Sequence, residues 1–238
     1  MKKISLIVVL ILSGLISFAQ VVKDKNVQVR QVDAFHGIEI SGGFDVYVSP
    51  DAEHALAVSA ATIELRDQIV TRVENGILKI SLQSQGKVIR KLNQKDLKVY
   101  LSAPTLSLIK AGGATDVHLT GKLKGDDLDI HLSGASDING QIEYNKVDLQ
   151  LSGASDATIS GKVDKLQVIA SGASDFKGKD LKVMKCSVSA SGASNVVVNV
   201  SDLLEPKASG ASHIKYYGSP KLQSVSLSGA SKVVGEGL

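Results

Sequence analysis

Four aspartates carry the chemistry that reads most directly from this chain. Asp116, Asp137, Asp156 and Asp175 each follow a copy of one short motif. The motif is Ser-Gly-Ala-Ser, beginning at Ser133, Ser152, Ser171, Ser191, Ser209 and Ser228, with a looser Gly112-Gly113-Ala114-Thr115 ahead of them. Successive copies are 18 to 21 residues apart, a period that marks stacked structural units. Stacked units place the four carboxylates one above another. At about 4.8 Å, neighbouring unit charges in water repel by about 0.9 kcal/mol before salt screening. A bound cation could offset this repulsion, and so could Asx-type hydrogen bonds to corner amides. The column continues as Asn195, His213 and Lys232. A metal ladder does not tolerate lysine, whereas a row of turn residues does. The four aspartates therefore stand as metal candidates only, and neither a metal nor a cofactor is expected. Gly with Asp at a corner is also the signature of the calcium-binding nonapeptide repeat, but that motif needs a second glycine pair in each coil, which is missing here.

Other reactive side chains do not gather. Cys186 is the only cysteine, which rules out an internal disulfide. It aligns with Val147 and Leu166 on the apolar face, so a buried thiol is expected rather than a nucleophile. His118, His131 and His213 fall in different columns, without metal-ligand spacing and with no Ser/His/Asp set. Lys122, Lys162 and Lys179 follow recurrent glycines and read as a solvated row that discourages edge pairing.

These side chains are positioned by alternating strands. The residues five, three and one before each motif read Leu128, Ile130, Leu132; Val147, Leu149, Leu151; Leu166, Val168, Ala170; Cys186, Val188, Ala190; Leu204, Pro206, Ala208; and Gln223, Val225, Leu227. This is period-2 patterning with one apolar face. A second strand follows each corner, with Ile138, Ala157, Phe176, Val196, Ile214 and Val233 turned inward. Glycines at Gly121, Gly140, Gly161, Gly178, Gly218 and Gly235 then suggest a second turn in each unit. No unit has room for a crossover helix, so parallel pairing requires the chain to wind. The fold class is all-β: a parallel β-helix, or β-solenoid, over residues 106–238 with coils of about 19 residues. In this reading the Ser hydroxyls satisfy turn amides and one another along the stack.

Ahead of the coils, residues 32–105 form an N-terminal β region of the same domain, which runs 32–238. Ile38 and Ile40, then Phe44, Val46 and Val48, alternate with polar residues. Residues 55–60 form a further strand and 62–70 a helical turn or irregular connection. Asn75-Gly76 between apolar runs predicts a type I′ hairpin. Residues 83–94 read as an exposed basic loop, and Leu97, Val99 and Leu101 as a strand ending near Pro104. Residues 20–31 are an extended lead-in. Residues 1–19 are a signal peptide: Lys2 and Lys3, an apolar run from Ile4 to Ile16, then Ser17-Phe18-Ala19 at the cleavage position.

Composition narrows the partners. Removing Lys2 and Lys3 takes the formal net charge from +3 to +1, a balance that argues against nucleic acid and anionic membranes. All four arginines (Arg30, Arg66, Arg72 and Arg90) precede the coils, so the repeats lack a bidentate phosphate fork. Four Phe, five Tyr and no Trp make poor material for a sugar-stacking platform. A parallel β-helix is also a scaffold of polysaccharide lyases and hydrolases. Those sites need clustered carboxylates, a basic partner and long loops, and the coils here have short loops and no Arg.

Three further segments resemble a known family. They are Phe35-His36-Gly37-Ile38-Glu39-Ile40-Ser41-Gly42-Gly43-Phe44-Asp45-Val46, Val73-Glu74-Asn75-Gly76-Ile77-Leu78-Lys79-Ile80, and Ala103-Pro104-Thr105-Leu106 leading into Ala111-Gly112-Gly113. With the Ser-Gly-Ala-Ser repeats, the chain resembles the family of "putative auto-transporter adhesin, head GIN domain" proteins over about residues 32–232. The resemblance implies an exported bacterial β-helical protein with no assigned catalytic residues. The expected function is a non-enzymatic adhesin or a binding or structural protein of the cell envelope; the alternative is a carbohydrate-active enzyme of the β-helix type. The expected location is the periplasm, the outer-membrane surface or the extracellular space. A surface protein or glycan is the expected partner, nucleic acid is not, and the open strand edge of the last coil offers a route to homo-oligomers.

Overall fold

The computed structural model describes residues 24–83 and 96–236. The expected signal peptide and almost all of the expected basic loop lie outside the described residues. In chain order the elements are β1 (Gln28–Arg30), β2 (Gly37–Gly42), β3 (Phe44–Ser49), β4 (Ala55–Ser59), α1 (Ile63–Arg66), β5 (Ile69–Glu74), β6 (Ile77–Leu82), β7 (Leu97–Ser102) and β8 (Leu108–Gly113). Five long strands follow: β9 (Asp116–Leu132), β10 (Asp137–Leu151), β11 (Asp156–Ala170), β12 (Asp175–Ala190) and β13 (Asn195–Ala208). The last coil is broken into β14 (His213–Tyr217), β15 (Lys221–Leu222), β16 (Ser226–Leu227) and β17 (Lys232–Glu236). Each long strand pairs in parallel with its equivalent one coil on, so the chain is a β-solenoid.

The apolar alternation becomes continuous columns. Leu78, Ile38, Ile109, Ile130, Leu149, Val168, Val188 and Pro206 stack in register through the middle of the molecule. The first seven are fully buried. Two consecutive outward residues, such as Asn145-Lys146, interrupt the alternation and set off a further inward run, Ile142 and Tyr144 in β10. Each full coil therefore has three inward-facing runs, where the sequence reading gave two.

The Ser-Gly-Ala-Ser segments are the bends between successive long strands, as expected. Their serines act differently from the reading. The last Ser of each copy donates to the carbonyl of the first, at 2.9 Å for Ser136 to Ser133 and 2.8 Å for Ser174 to Ser171, and in the first five copies it is buried. The motif thus closes on itself, and the ladder between corners is built mainly by the backbone, as in Ala154 N–H to Gly134 O at 2.8 Å; hydroxyls add to it where Ser152 donates to the Leu132 carbonyl at 3.3 Å and where Ser136 accepts the Thr115 N–H at 3.4 Å.

The second set of glycines is not a column. Gly140 lies opposite Ile159, and Gly161 opposite Ile142 and Leu181. Gly140 is three residues past Asp137 and Gly161 five past Asp156, so they miss each other while β10 and β11 keep register; the bulges lie between β9 and β10 and between β11 and β12. The lysines that follow these glycines are likewise not one row. Lys122 lies opposite Gln141, Lys162 opposite Glu143, and Lys179 falls inside a bulge. In the last coil Leu222, not Gln223, lies over Leu204, and Ser224 has a φ of 53° beside the shifted register.

The parallel stack extends below residue 106. Strand β2 lies between β6 and β8, and β3 between β7 and β9. Beyond them the pairing turns antiparallel: β4 on β7, β1 on β4, and β5 on β6. The β5–β6 turn has Asn75 at φ 53° and Gly76 at φ 74°, the type I′ hairpin expected. The one-turn helix α1 is capped by Thr62, whose hydroxyl accepts from Leu65 N–H at 3.2 Å, and it buries Leu65 over the same end. The lead-in is fastened there too: the Tyr100 hydroxyl donates to Asp24 at 2.6 Å, and Arg30 donates to the Ile69 carbonyl at 2.6 Å.

Candidate functional site

The four aspartates stack as the spacing predicts. Asp116 lies opposite Asp137, Asp137 opposite Asp156, and Asp156 opposite Asp175. The column continues through Asn195, His213 and Lys232. In the other direction it runs on to Asp45 and Lys98, with Ser59 beyond. Five stacked carboxylates therefore lie between two lysines. The signal for Asp45 was present, because Ser41-Gly42-Gly43-Phe44-Asp45 is a diverged copy of Ser133-Gly134-Ala135-Ser136-Asp137, and Gly42 lies opposite Gly113.

The repulsion along this column is offset by its neighbours. Asp137 accepts the Asp156 N–H at 3.1 Å, Lys177 reaches Asp156 at 3.1 Å, and the Asn195 amide donates to Asp175 at 2.8 Å. Asp116 is the exception: burial first, then the carboxylates of Asp137 and Asp45, hold it above the ordinary carboxyl value, with His118 opposing. Among the described residues no group of three His, Cys, Asp or Glu side chains converges as a ligand set for a metal ion.

This yields a prediction. The folded chain holds the Asp116 proton more tightly than the unfolded chain does. Stability is therefore lost as pH rises from the ordinary carboxyl value through the raised one. Asp116→Asn should raise the melting temperature at pH 7 by about 1–3 °C, given about 0.9 kcal/mol per like-charge contact and a few degrees per kcal/mol at this size. The gain should vanish below about pH 3, where the carboxyl is protonated in both states. A melting temperature of the unsubstituted protein that rose strongly with calcium and fell with chelator would instead make the column a cation ladder.

A second outward column runs beside the first: Tyr100, Tyr47, His118, Asn139, Thr158, Lys177, Val197, Lys215 and Val234. Tyr100 stacks on Tyr47 and Tyr47 on His118, each at 5.1 Å between ring centroids. His118 Nδ1 meets the Asn139 amide at 2.8 Å. The aromatic ladder was not foreseen, since it requires the spatial order β7, β3, β9. A third column, Lys146, Lys165 and Lys185, carries positive charge on a different face.

Cys186 is buried between Leu166 and Leu204 in the core. Burial pushes its thiol up to about 12. Thiol reagents at pH 8 should label the native protein at least about a hundredfold more slowly than the chain in denaturant. Fast native labelling would refute the burial. His131 and His213 stand apart, in separate columns opposite Gln150 and Lys232.

The fold and face together define a parallel β-solenoid whose uniform core carries a chemically varied side wall. The chain belongs to the family described as "Putative auto-transporter adhesin, head GIN domain", which matches residues 34–220. Among solved structures it resembles a putative adhesin from Bacteroides fragilis NCTC 9343, with TM-score 0.77 and 25% identity over 89% of this chain and 94% of that one. It also resembles a putative lipid binding protein from Parabacteroides distasonis ATCC 8503, with TM-score 0.70 and 20% identity over 89% and 97%. A putative adhesin from Parabacteroides merdae ATCC 43184 shares the fold, with TM-score 0.65 and 14% identity over 88% and 95%. Among curated proteins, none matches this chain.

Proposed function

We propose that this protein is an exported, non-enzymatic β-solenoid that acts as an adhesin or binding module at the bacterial cell envelope. The observation that carries this reading is the side wall. A core of repeating coils supports two adjoining outward columns whose chemistry changes from aromatic and acidic at β3 and β9 to basic at β14 and β17. A repeating scaffold with a varied surface suits recognition of an extended partner. Family membership and the names of two similar structures support an adhesive role. The basic, apolar start of the sequence supports export.

The test is fractionation of the native host with protease treatment of intact cells, followed by binding of the purified protein to envelope preparations. The expected result is recovery in the envelope or the medium, together with saturable binding. Recovery in the cytoplasm, or turnover on a panel of polysaccharides, would sink this reading, and the second outcome would install a β-helix enzyme in its place.

A further inference from the structure

Unequal coil lengths cut a trough into the side wall. Between His118 and Lys122, strand β9 carries Leu119, Thr120 and Gly121 where β10 carries only Gly140. Between Lys177 and Leu181, β12 carries Gly178, Lys179 and Asp180 where β11 carries only Ile159 and Ser160. Strands β10 and β11 keep strict register with each other across the same span. Two short coils therefore form a floor between two bulged rims. The rims stand three strand spacings apart, about 14 Å. The cavity holds about 550 Å³, within the ~300–1,000 Å³ of small-molecule sites. One rim is braced, because the Thr120 hydroxyl donates to the Val48 carbonyl at 3.0 Å and Gly121 packs against the Pro50 ring.

The lining selects the ligand class. Asn139, Gln141, Thr158, Ser160, Lys177 and Asp180 supply amides, hydroxyls, one amine and one carboxylate, set among apolar surface that makes up slightly more than half of the lining. An apolar ligand would strip water from these groups without replacing their hydrogen bonds. An anionic ligand would meet Asp180, with Lys177 already committed to Asp156 at 3.1 Å. A neutral chain rich in hydroxyls satisfies both conditions, since paired donors and acceptors engage vicinal diols.

We infer that the trough across β9–β12 is a binding site for a neutral glycan, taking roughly two or three sugar rings along its ~14 Å width. This rests on the adhesin reading and names the site and ligand class for it. The tyrosine–histidine ladder runs into the rim through the His118–Asn139 contact and extends the recognition surface beyond the floor.

The experiment titrates the full mature chain with a neutral panel of maltotetraose, cellotetraose, mannotetraose and chitotetraose, and with tetragalacturonate as the acidic counterpart. At least one neutral member should bind, and tetragalacturonate should bind at least about tenfold more weakly. The variant Gln141→Ala with Thr158→Ala removes two exposed floor groups and should weaken neutral binding by at least about tenfold. Lys165→Ala with Lys185→Ala, on another face, should leave it unchanged. Preference for the uronate, or unaltered affinity in the floor variant, would overturn the site. Failure of every neutral probe would also overturn it. If the same preparation still bound envelope fractions, the adhesin reading would stand without this site.

Discussion

Replacing Gly153 with alanine should lower the melting temperature by about 5–15 °C. Gly153 has a φ of 80°, a conformation that costs an L-residue about 1–2 kcal/mol. Backbone strain is the smaller part. A Cβ on Gly153 would lie 2.5 Å from the carbonyl oxygen of Gly134, one coil below. That oxygen accepts the Ala154 N–H at 2.8 Å, so the methyl group would push apart the hydrogen bond that holds adjacent corners together. A ladder group left unpaired adds about 1–3 kcal/mol. The sum is about 2–5 kcal/mol, or a few degrees per kcal/mol for a chain of this size. Ala154 is exposed at the same corner, and Ala154→Ser should move the midpoint by no more than about 2 °C. Equal melting temperatures for the two variants would mean that the corner is a loose loop and not a stacked column. Thermal denaturation followed by circular dichroism decides between them.

That expectation explains which parts of the molecule could be read in advance. The corner repeats because every coil makes this bend at the same place, and Gly134, Gly153 and Gly172 must lie close above one another. Steric demand of this kind leaves a strict trace in the sequence, and so does the buried alternation of Leu149, Val168 and Val188. The bulges leave no such trace. Leu123 lies seven residues past Asp116 and Ile142 five past Asp137, yet the two pair. An extra residue can be absorbed wherever the outward face gives it room, so counting from the corner fails there. The trough depends on those bulges and was invisible for the same reason. The aromatic ladder was hidden differently. Tyr100, Tyr47 and His118 become neighbours only because β3 slots between β7 and β9, a non-local order that no local pattern announces. Asp45 is the intermediate case: its corner is a recognisable copy of the motif, but Phe44 replaces the buried serine and disguises it.

Phe176→Ala should cost about 3–5 kcal/mol and a comparable 6–15 °C. Phe176 is one of the two largest fully buried side chains, and it stacks between Ala157 and Val196. The coil below is small at that point and the chain beyond is smaller still: a Cβ on Gly178 would meet the Phe176 ring at 2.6 Å. The ring therefore fills space vacated by both neighbours, and little is available to collapse into the cavity once it is gone. This complementarity predicts a reversal of sign. In the wild-type background Ala157→Val should destabilise by about 1–3 kcal/mol, because it overpacks against the ring. In the Phe176→Ala background the same substitution should recover part of the loss, because it fills the cavity. Additive effects in the double-mutant cycle would show that the two positions do not share one volume. The consequence reaches the surface. Asp175 and Lys177 flank Phe176 on the strand, one in the acidic column and the other lining the trough. Loosening Phe176 should therefore weaken the Lys177–Asp156 contact at 3.1 Å as well as the core. A smaller upward shift of the Lys177 amine in the variant, followed by NMR titration, is the readout that links the packing of this coil to the wall it supports.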